Sequence, residues 1–188
     1  FLHRDEFRQR YPGNEISLPV VLGLSVAEWA VFYEEAARSI FGPVILNCQA
    51  PDDGNMSILN KTLPSDEMKD KWLQPIIDGD VRSSFVMTEP HPGSGSDPGG
   101  MITRARSVDG GYRVSGAKMW ITNSTIADVA VVWAKNEQGV VHGLIVEKGM
   151  EGFTAPETTG KWSLRASVTG ELVFDNVKVP KENLLPNV

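Results

Sequence analysis

The 188-residue sequence predicts an α+β fold in which a helical region, residues 1–83, precedes an antiparallel β-barrel or β-sandwich domain, residues 84–188. Three observations predict it: a helix-start signal followed by an apolar stripe at helical spacing, a change to strand-like periodicity at Ser84, and closely spaced Gly, Asn and Asp turns from there on.

The start signal is Ser25-Val26-Ala27-Glu28, a capping box in which Ser and Glu satisfy each other's backbone donors. A helix runs from it to about Ile40, with Trp29, Tyr33, Ala36 and Ile40 on one stripe, and Gly42-Pro43 stops it. The apolar run Val44-Ile45-Leu46 is broken at Ala50-Pro51-Asp52-Asp53-Gly54, with short helical pieces expected on either side. Ser65-Asp66-Glu67 opens another helix, placing acidic groups at its positive dipole end, and Asp78-Gly79-Asp80 closes it after Trp72, Leu73 and Ile76. Strands are predicted at residues 102–108, 112–115, 119–122, 129–135, 140–147 and 171–174. Asp109-Gly110-Gly111 and Asn136-Glu137-Gln138-Gly139 supply hairpin turns.

A hydrophobic content of 41% suffices for a globular core. The net charge of −6 and the lack of a basic stripe oppose a nucleic-acid or anionic-membrane surface. No apolar stretch is long enough to span a bilayer, and the first residues lack a signal-peptide core, so a cytoplasmic or mitochondrial-matrix protein is expected. Cys48, the only cysteine, reads as a buried structural thiol. His3, His91 and His142 are too scattered for a metal site.

The chemistry concentrates between Met87 and Thr122. An apolar run ends in Met87-Thr88-Glu89-Pro90 before a glycine-rich loop, His91-Pro92-Gly93-Ser94-Gly95-Ser96-Asp97, whose backbone N–H groups can approach an anionic partner. Further on, Lys118-Met119-Trp120-Ile121-Thr122-Asn123 offers a flat indole and a hydroxyl two residues apart, on one face if the segment is extended. Taken alone, Trp120 reads as strand core, Thr88 and Thr122 as ordinary strand threonines, and the glycine loop as a weak phosphate signal. Trp29, Trp72, Trp133 and Trp162 read as core, and Glu89, without a companion at useful spacing, as structural.

Together these segments resemble the acyl-CoA dehydrogenase family, in which a Thr-Glu-Pro loop and a Trp-Ile-Thr strand hold FAD. Further matches are Ile126-Ala127-Asp128, Glu147-Lys148-Gly149-Met150, Ser163-Leu164-Arg165-Ala166-Ser167 and Val179-Pro180-Lys181-Glu182-Asn183-Leu184-Leu185-Pro186, a series most similar to glutaryl-CoA dehydrogenases. The resemblance implies a FAD-dependent α,β-dehydrogenation of an acyl-CoA thioester. It places the Met87 and Thr88 backbone at the flavin N1–C2=O edge, the Thr122 hydroxyl near N5, Trp120 on the ring face away from substrate and Ile121 between them in the cofactor site. Ser96 would touch both the FAD pyrophosphate region and the acyl-CoA chain. The resemblance also implies that residues 1–83 are a partial N-terminal helical domain and that the chain stops before a C-terminal helical domain bearing the catalytic glutamate. No catalytic residue is then expected in this chain, which would be inactive by itself; the parent would be a homotetramer passing electrons to an electron-transfer flavoprotein. The alternative is a non-catalytic binding or assembly module on the same β-domain.

Two features depart from the glutaryl pattern. The loop from Pro90 to Ser96 is longer by two residues, and with the segment from Asn47 to Met56 it looks like another branch, whose vertebrate members carry an appended kinase-like domain. Counting back without gaps from Ser65, Leu46 stands where glutaryl enzymes carry a carboxylate-binding arginine; with a gap, Arg38 takes that role. An apolar pocket disfavours an unpaired carboxylate because desolvating the charge is costly, so a neutral acyl chain is expected.

Overall fold

The computed structural model describes residues 25–94, 97–186 and 188. Helix α1 (Val26–Ala36) begins with the complete capping box: Ser25 N–H and Oγ–H both donate to the Glu28 carboxylate, and Glu28 N–H donates back to Ser25 Oγ. The helix ends four residues short of Ile40. Its last turn tightens, with Arg38 N–H on the Glu35 carbonyl and Ser39 N–H on that of Ala36, and this rotates Ile40 off the stripe into solvent, 87% exposed. Gly42-Pro43, expected as a stop, opens the short helix α2 (Gly42–Ile45). Pro51 to Gly54, expected as a break, instead starts α3 (Asp52–Thr62), because proline is favourable before a first turn and Asp52 and Asp53 complement its dipole.

Ser65 caps the next helix through its Oγ, which accepts from Met68 N–H. That helix is composite: α4 (Asp66–Met68), a π-helical turn at Lys69–Leu73, and α5 (Gln74–Asp78), closed by Gly79 in the left-handed region (φ 76°). The widened turn accommodates Pro75, whose ring would clash with the carbonyl four residues back in a regular helix.

From Ser83 the chain forms one curled sheet. Its strands are β1 (Ser83–Val86), β2 (Arg104–Val108), β3 (Gly111–Thr122), β4 (Val129–Lys135), β5 (Val141–Glu147), β6 (Phe153–Thr154) and β7 (Thr169–Pro180). The order is β1-β4-β2-β3-β7-β6, with β5 also paired to β4. Antiparallel ladders dominate, as expected, but β1 runs parallel to β4, with Ser83 opposite Val129 and Val86 opposite Val132. The strand segments predicted at 112–115 and 119–122 are one long strand with bulges. Both predicted hairpin turns form; at the second, the Asn136 side chain accepts from the N–H groups of Gln138 and Val140.

Strand alternation sorts the core into two layers. Ala130, Val132 and Ala134 of β4 face the barrel interior with Val86, Val114, Ile121, Leu144, Val146, Leu172 and Phe174. Val129 and Val131 face the helices, where they meet Met56, Leu59, Trp72, Leu73 and Ile76. Trp72 Nε1–H also donates to Glu147 of β5, which pairs with Lys71 at 2.9 Å.

A polar joint binds the same two layers. Buried Asp52 at the start of α3 accepts from Ser83 N–H (2.7 Å) and Ser83 Oγ (2.5 Å) and pairs with Arg82 (3.1 Å). Arg82 also donates to Asn47 Oδ1, and Asn55 Nδ2 donates to Ser83 Oγ. Cys48 is buried, as its composition context predicts.

Candidate functional site

β1 runs from the end of β3 back along its second half, bringing Met87 and Thr88 beside Lys118 and Met119, and the two segments interlock. Met119 N–H donates to the Thr88 carbonyl (2.9 Å), and the Lys118 ammonium donates to the Met87 carbonyl (2.9 Å) and to Glu89 Oε1 (2.9 Å). Farther along, Asn123 Nδ2 donates to the Ser83 carbonyl at the start of β1. The structure therefore brings together the turn and the strand whose pairing the sequence anticipates. Ser96 lies outside the described residues.

Trp120 occupies a bulge. The ladder between β3 and β7 shifts register between Lys118 and Ile121, and Trp120 adopts φ 59°. Of the non-glycine residues with positive φ, Asn47, Asn123 and Asn176 are of a type that tolerates this region, whereas Trp120 and Leu164 are not. On unbroken alternation Trp120 would share the inward face of Lys118. The additional residue in the bulge sends Ile121 inward and leaves Trp120 68% exposed, with Thr122 half-buried. Trp120 and Thr122 thus flank the inward Ile121 because of the bulge and not because the whole segment is extended. The Ile121 side chain belongs to the barrel core, so only its main chain is available to a ligand.

Glu89 has the companion that its sequence neighbours do not reveal. Its carboxylate accepts from Ile102 N–H (2.7 Å), Thr103 N–H (2.9 Å) and Lys118, and both members of the ion pair are wholly buried. Burial pushes the Glu89 carboxyl up, but the hydrogen bonds from Ile102, Thr103 and Lys118 outweigh it and hold the group below the usual carboxylate range. Burial lowers the Lys118 ammonium, with Glu89 opposing that shift. Glycine at position 93 is required by contact, since a Cβ there would lie 2.4 Å from Glu89 Cβ and 2.8 Å from the Pro90 carbonyl oxygen. Ser94, also buried, donates to the Met87 carbonyl at 3.2 Å. The signal for Lys118 in the sequence was its even spacing from Val114 on an otherwise inward strand face.

The remaining tryptophans divide. Trp72 is buried, Trp29 and Trp133 are half-buried, and Trp162, expected in the core, is 98% exposed in the loop before β7. Leu46 is half-buried at the end of α2, while Arg38 lies on the surface paired with Glu35.

A family model described as acyl-CoA dehydrogenase, middle domain, matches residues 84–177, half of the chain. The chain belongs to the acyl-CoA dehydrogenase family. Among curated members of this family, mitochondrial isovaleryl-CoA dehydrogenase of Arabidopsis thaliana is 38% identical over 170 residues, covering 87% of this chain and 40% of that protein. Acyl-CoA dehydrogenase family member 11 of Rattus norvegicus is 35% identical over 179 residues, 89% of this chain and 23% of the relative. A solved glutaryl-CoA dehydrogenase from Mycobacterium smegmatis superposes with a TM-score of 0.77 at 34% identity, over 98% of this chain and 48% of that one. A structure of a glutaryl-CoA dehydrogenase from M. smegmatis in complex with FADH2 matches at 44% identity and a TM-score of 0.65, over 71% of this chain and 34% of its own. The chain thus spans less than half the length of each of these acyl-CoA dehydrogenases.

Proposed function

We propose that this chain is the helical and β-barrel portion of a FAD-dependent acyl-CoA dehydrogenase, with a domain division at Ser84 and with no catalytic base among its own residues. The observation that carries the reading is the union of the Met87–Thr88 turn with the β3 bulge, through the Met119-to-Thr88 and Lys118-to-Met87 hydrogen bonds, beside an outward indole. The residues present fit a flavin: an exposed aromatic plane, a neighbouring hydroxyl and a turn of main-chain amides are what a flat, polar-edged ring requires. Met87 and Thr88 would hold its edge through the main chain, Trp120 one face, Thr122 and the Ile121 main chain the adjoining side, and Ser96 the pyrophosphate and acyl-CoA. Bound there, FAD supplies the acceptor for the hydride leaving the β-carbon of an acyl-CoA. The protein's contribution is to keep that ring dry on the indole side, where an aromatic contact adds ~0.5–1.5 kcal/mol beyond area burial, and to aim fixed donors at its edge.

Half-buried Leu46 in place of an arginine supports a neutral acyl chain. The homotetrameric parent, the electron-transfer flavoprotein acceptor and a cytoplasmic or mitochondrial-matrix setting belong to the same proposal. Titration of the 15N-labelled chain with FAD tests it. Expected are weak, saturable shifts at Met87, Thr88, Ser96 and Trp120 to Thr122; no response at millimolar FAD refutes the site, and tight stoichiometric flavin refutes the reading that this chain holds only part of the flavin site. In the complete enzyme, turnover of butyryl-CoA should exceed that of glutaryl-CoA, and a strong glutaryl preference overturns the Leu46 argument.

A second reading, a non-catalytic assembly module, draws on exposed Val31, Ile40, Phe41 and Ile45 around α1 and α2. Concentration-dependent self-association of a chain that gives no FAD response would favour it.

A further inference from the structure

The strongest unassigned feature is the wholly buried Lys118–Glu89 pair, which touches the proposed site without reaching its surface. Desolvating two charges is expensive, and an apolar pair of similar volume is often no less stable, so the pair itself does not explain why an ammonium is placed there. Its third contact does. The ammonium is held by Glu89, which is in turn fixed by the N–H groups of Ile102 and Thr103, and it donates to the Met87 carbonyl. Ser94 Oγ donates to that same oxygen.

The Met87 carbonyl and the Thr88 N–H belong to one planar peptide unit, which is trans, so they point in opposite directions. Two donors pulling the carbonyl toward a buried lysine therefore turn the Thr88 N–H to the opposite side, away from that ammonium. The Thr88 carbonyl is committed separately to Met119 N–H, which prevents the turn from rotating as a body. We infer that Lys118 is a positioning residue, which fixes the Met87–Thr88 peptide so that the Thr88 N–H is presented as a preset donor to the flavin edge. This rests on the flavin reading above and adds what sets the donor's direction. A donor aimed at an edge that gains negative charge on reduction favours the reduced ring over the oxidised one.

The test uses the near-isosteric, charge-neutral double variant Lys118→Met/Glu89→Gln, which removes the ammonium without stranding a buried carboxylate. In the flavin-free chain, the N–H residual dipolar coupling of Thr88 should match the orientation of this structure in the wild type and fall toward an averaged value in the double variant. Titrations with FAD and with chemically reduced FAD, followed at unaffected amides such as that of Thr122, should show the variant losing about tenfold more affinity for the reduced form. That equals a two-electron potential lower by about 30 mV. An unchanged Thr88 coupling in a folded double variant overturns the inference, as does an equal loss for both redox forms, which a purely scaffolding role would give. A wild-type chain without any FAD response sinks the flavin reading and this inference with it, whereas a wild-type response with a redox-indifferent loss sinks the inference alone.

Discussion

Replacing Trp120 by glycine and, separately, by alanine isolates the backbone cost of the β3 bulge. Both variants lose the same ring, which is 68% exposed, so its burial cancels in the comparison. At φ 59° an alanine retains the left-handed penalty of roughly 1–2 kcal/mol, which glycine escapes. Glycine in turn loses about 0.5–1 kcal/mol to its greater unfolded-state freedom. The balance leaves Trp120→Gly more stable than Trp120→Ala by about 0.7 kcal/mol, roughly a threefold change in the folding equilibrium. On ordinary strand backbone the order is reversed. Urea denaturation of both variants, read by far-UV circular dichroism, measures the difference directly. If alanine equals or exceeds glycine, Trp120 is not held in the left-handed region, and the account of how the bulge turns the indole outward fails.

Lys118→Met alone should destabilise by about 3–5 kcal/mol, because it leaves a buried carboxylate short of a donor, while adding Glu89→Gln should recover most of the loss; a double-mutant cycle in urea checks the coupling. Gly93→Ala forces a methyl into the Glu89 side chain and should cost about 1–3 kcal/mol, detectable as a lower melting temperature and faster proteolysis at the loop. The folded-state Glu89 and Glu147 carboxyls lie below their unfolded values. Their contribution is therefore complete above the unfolded carboxylate pKa of about 4.3 and is lost as pH falls through the depressed folded values. Urea midpoints should thus hold steady from about pH 7 to 5 and drop below that, less steeply in Glu89→Gln; equal slopes would remove Glu89 from the account.

The elements legible in the sequence are those fixed by local chemistry. Ser25 and Glu28 announce a helix start, Ser65 another, and the Asp109–Gly111 and Asn136–Gly139 turns announce hairpins, because capping and turn geometry involve only near neighbours. Pairing across the fold was less accessible. The parallel match of β1 with β4 depends on a connection that runs through two other strands, and no periodicity encodes it. Glu89 looked solitary because its partner is 29 residues away, across the sheet. The extended geometry that would put Trp120 and Thr122 on one face is not what the chain adopts there: a bulge is an interruption of the alternation from which strand faces are read. Trp162 carried no local mark separating it from the tryptophans that are buried.

The joint at Asp52 means that the helices and the barrel do not form interchangeable modules. Ser83, whose carbonyl receives Asn123 from the tail of β3, is itself clamped by a carboxylate from α3, so a displacement of that helix is carried by hard polar contacts to the strand beside the indole. Transplanting residues 84–188 onto a foreign helical layer would strip Val129, Val131 and Ile145 of their cover and detach the clamp that sets the height of β1. A substitute helical layer would have to supply a hydrogen-bond acceptor to Ser83 at this one spot or leave the start of β1 unclamped.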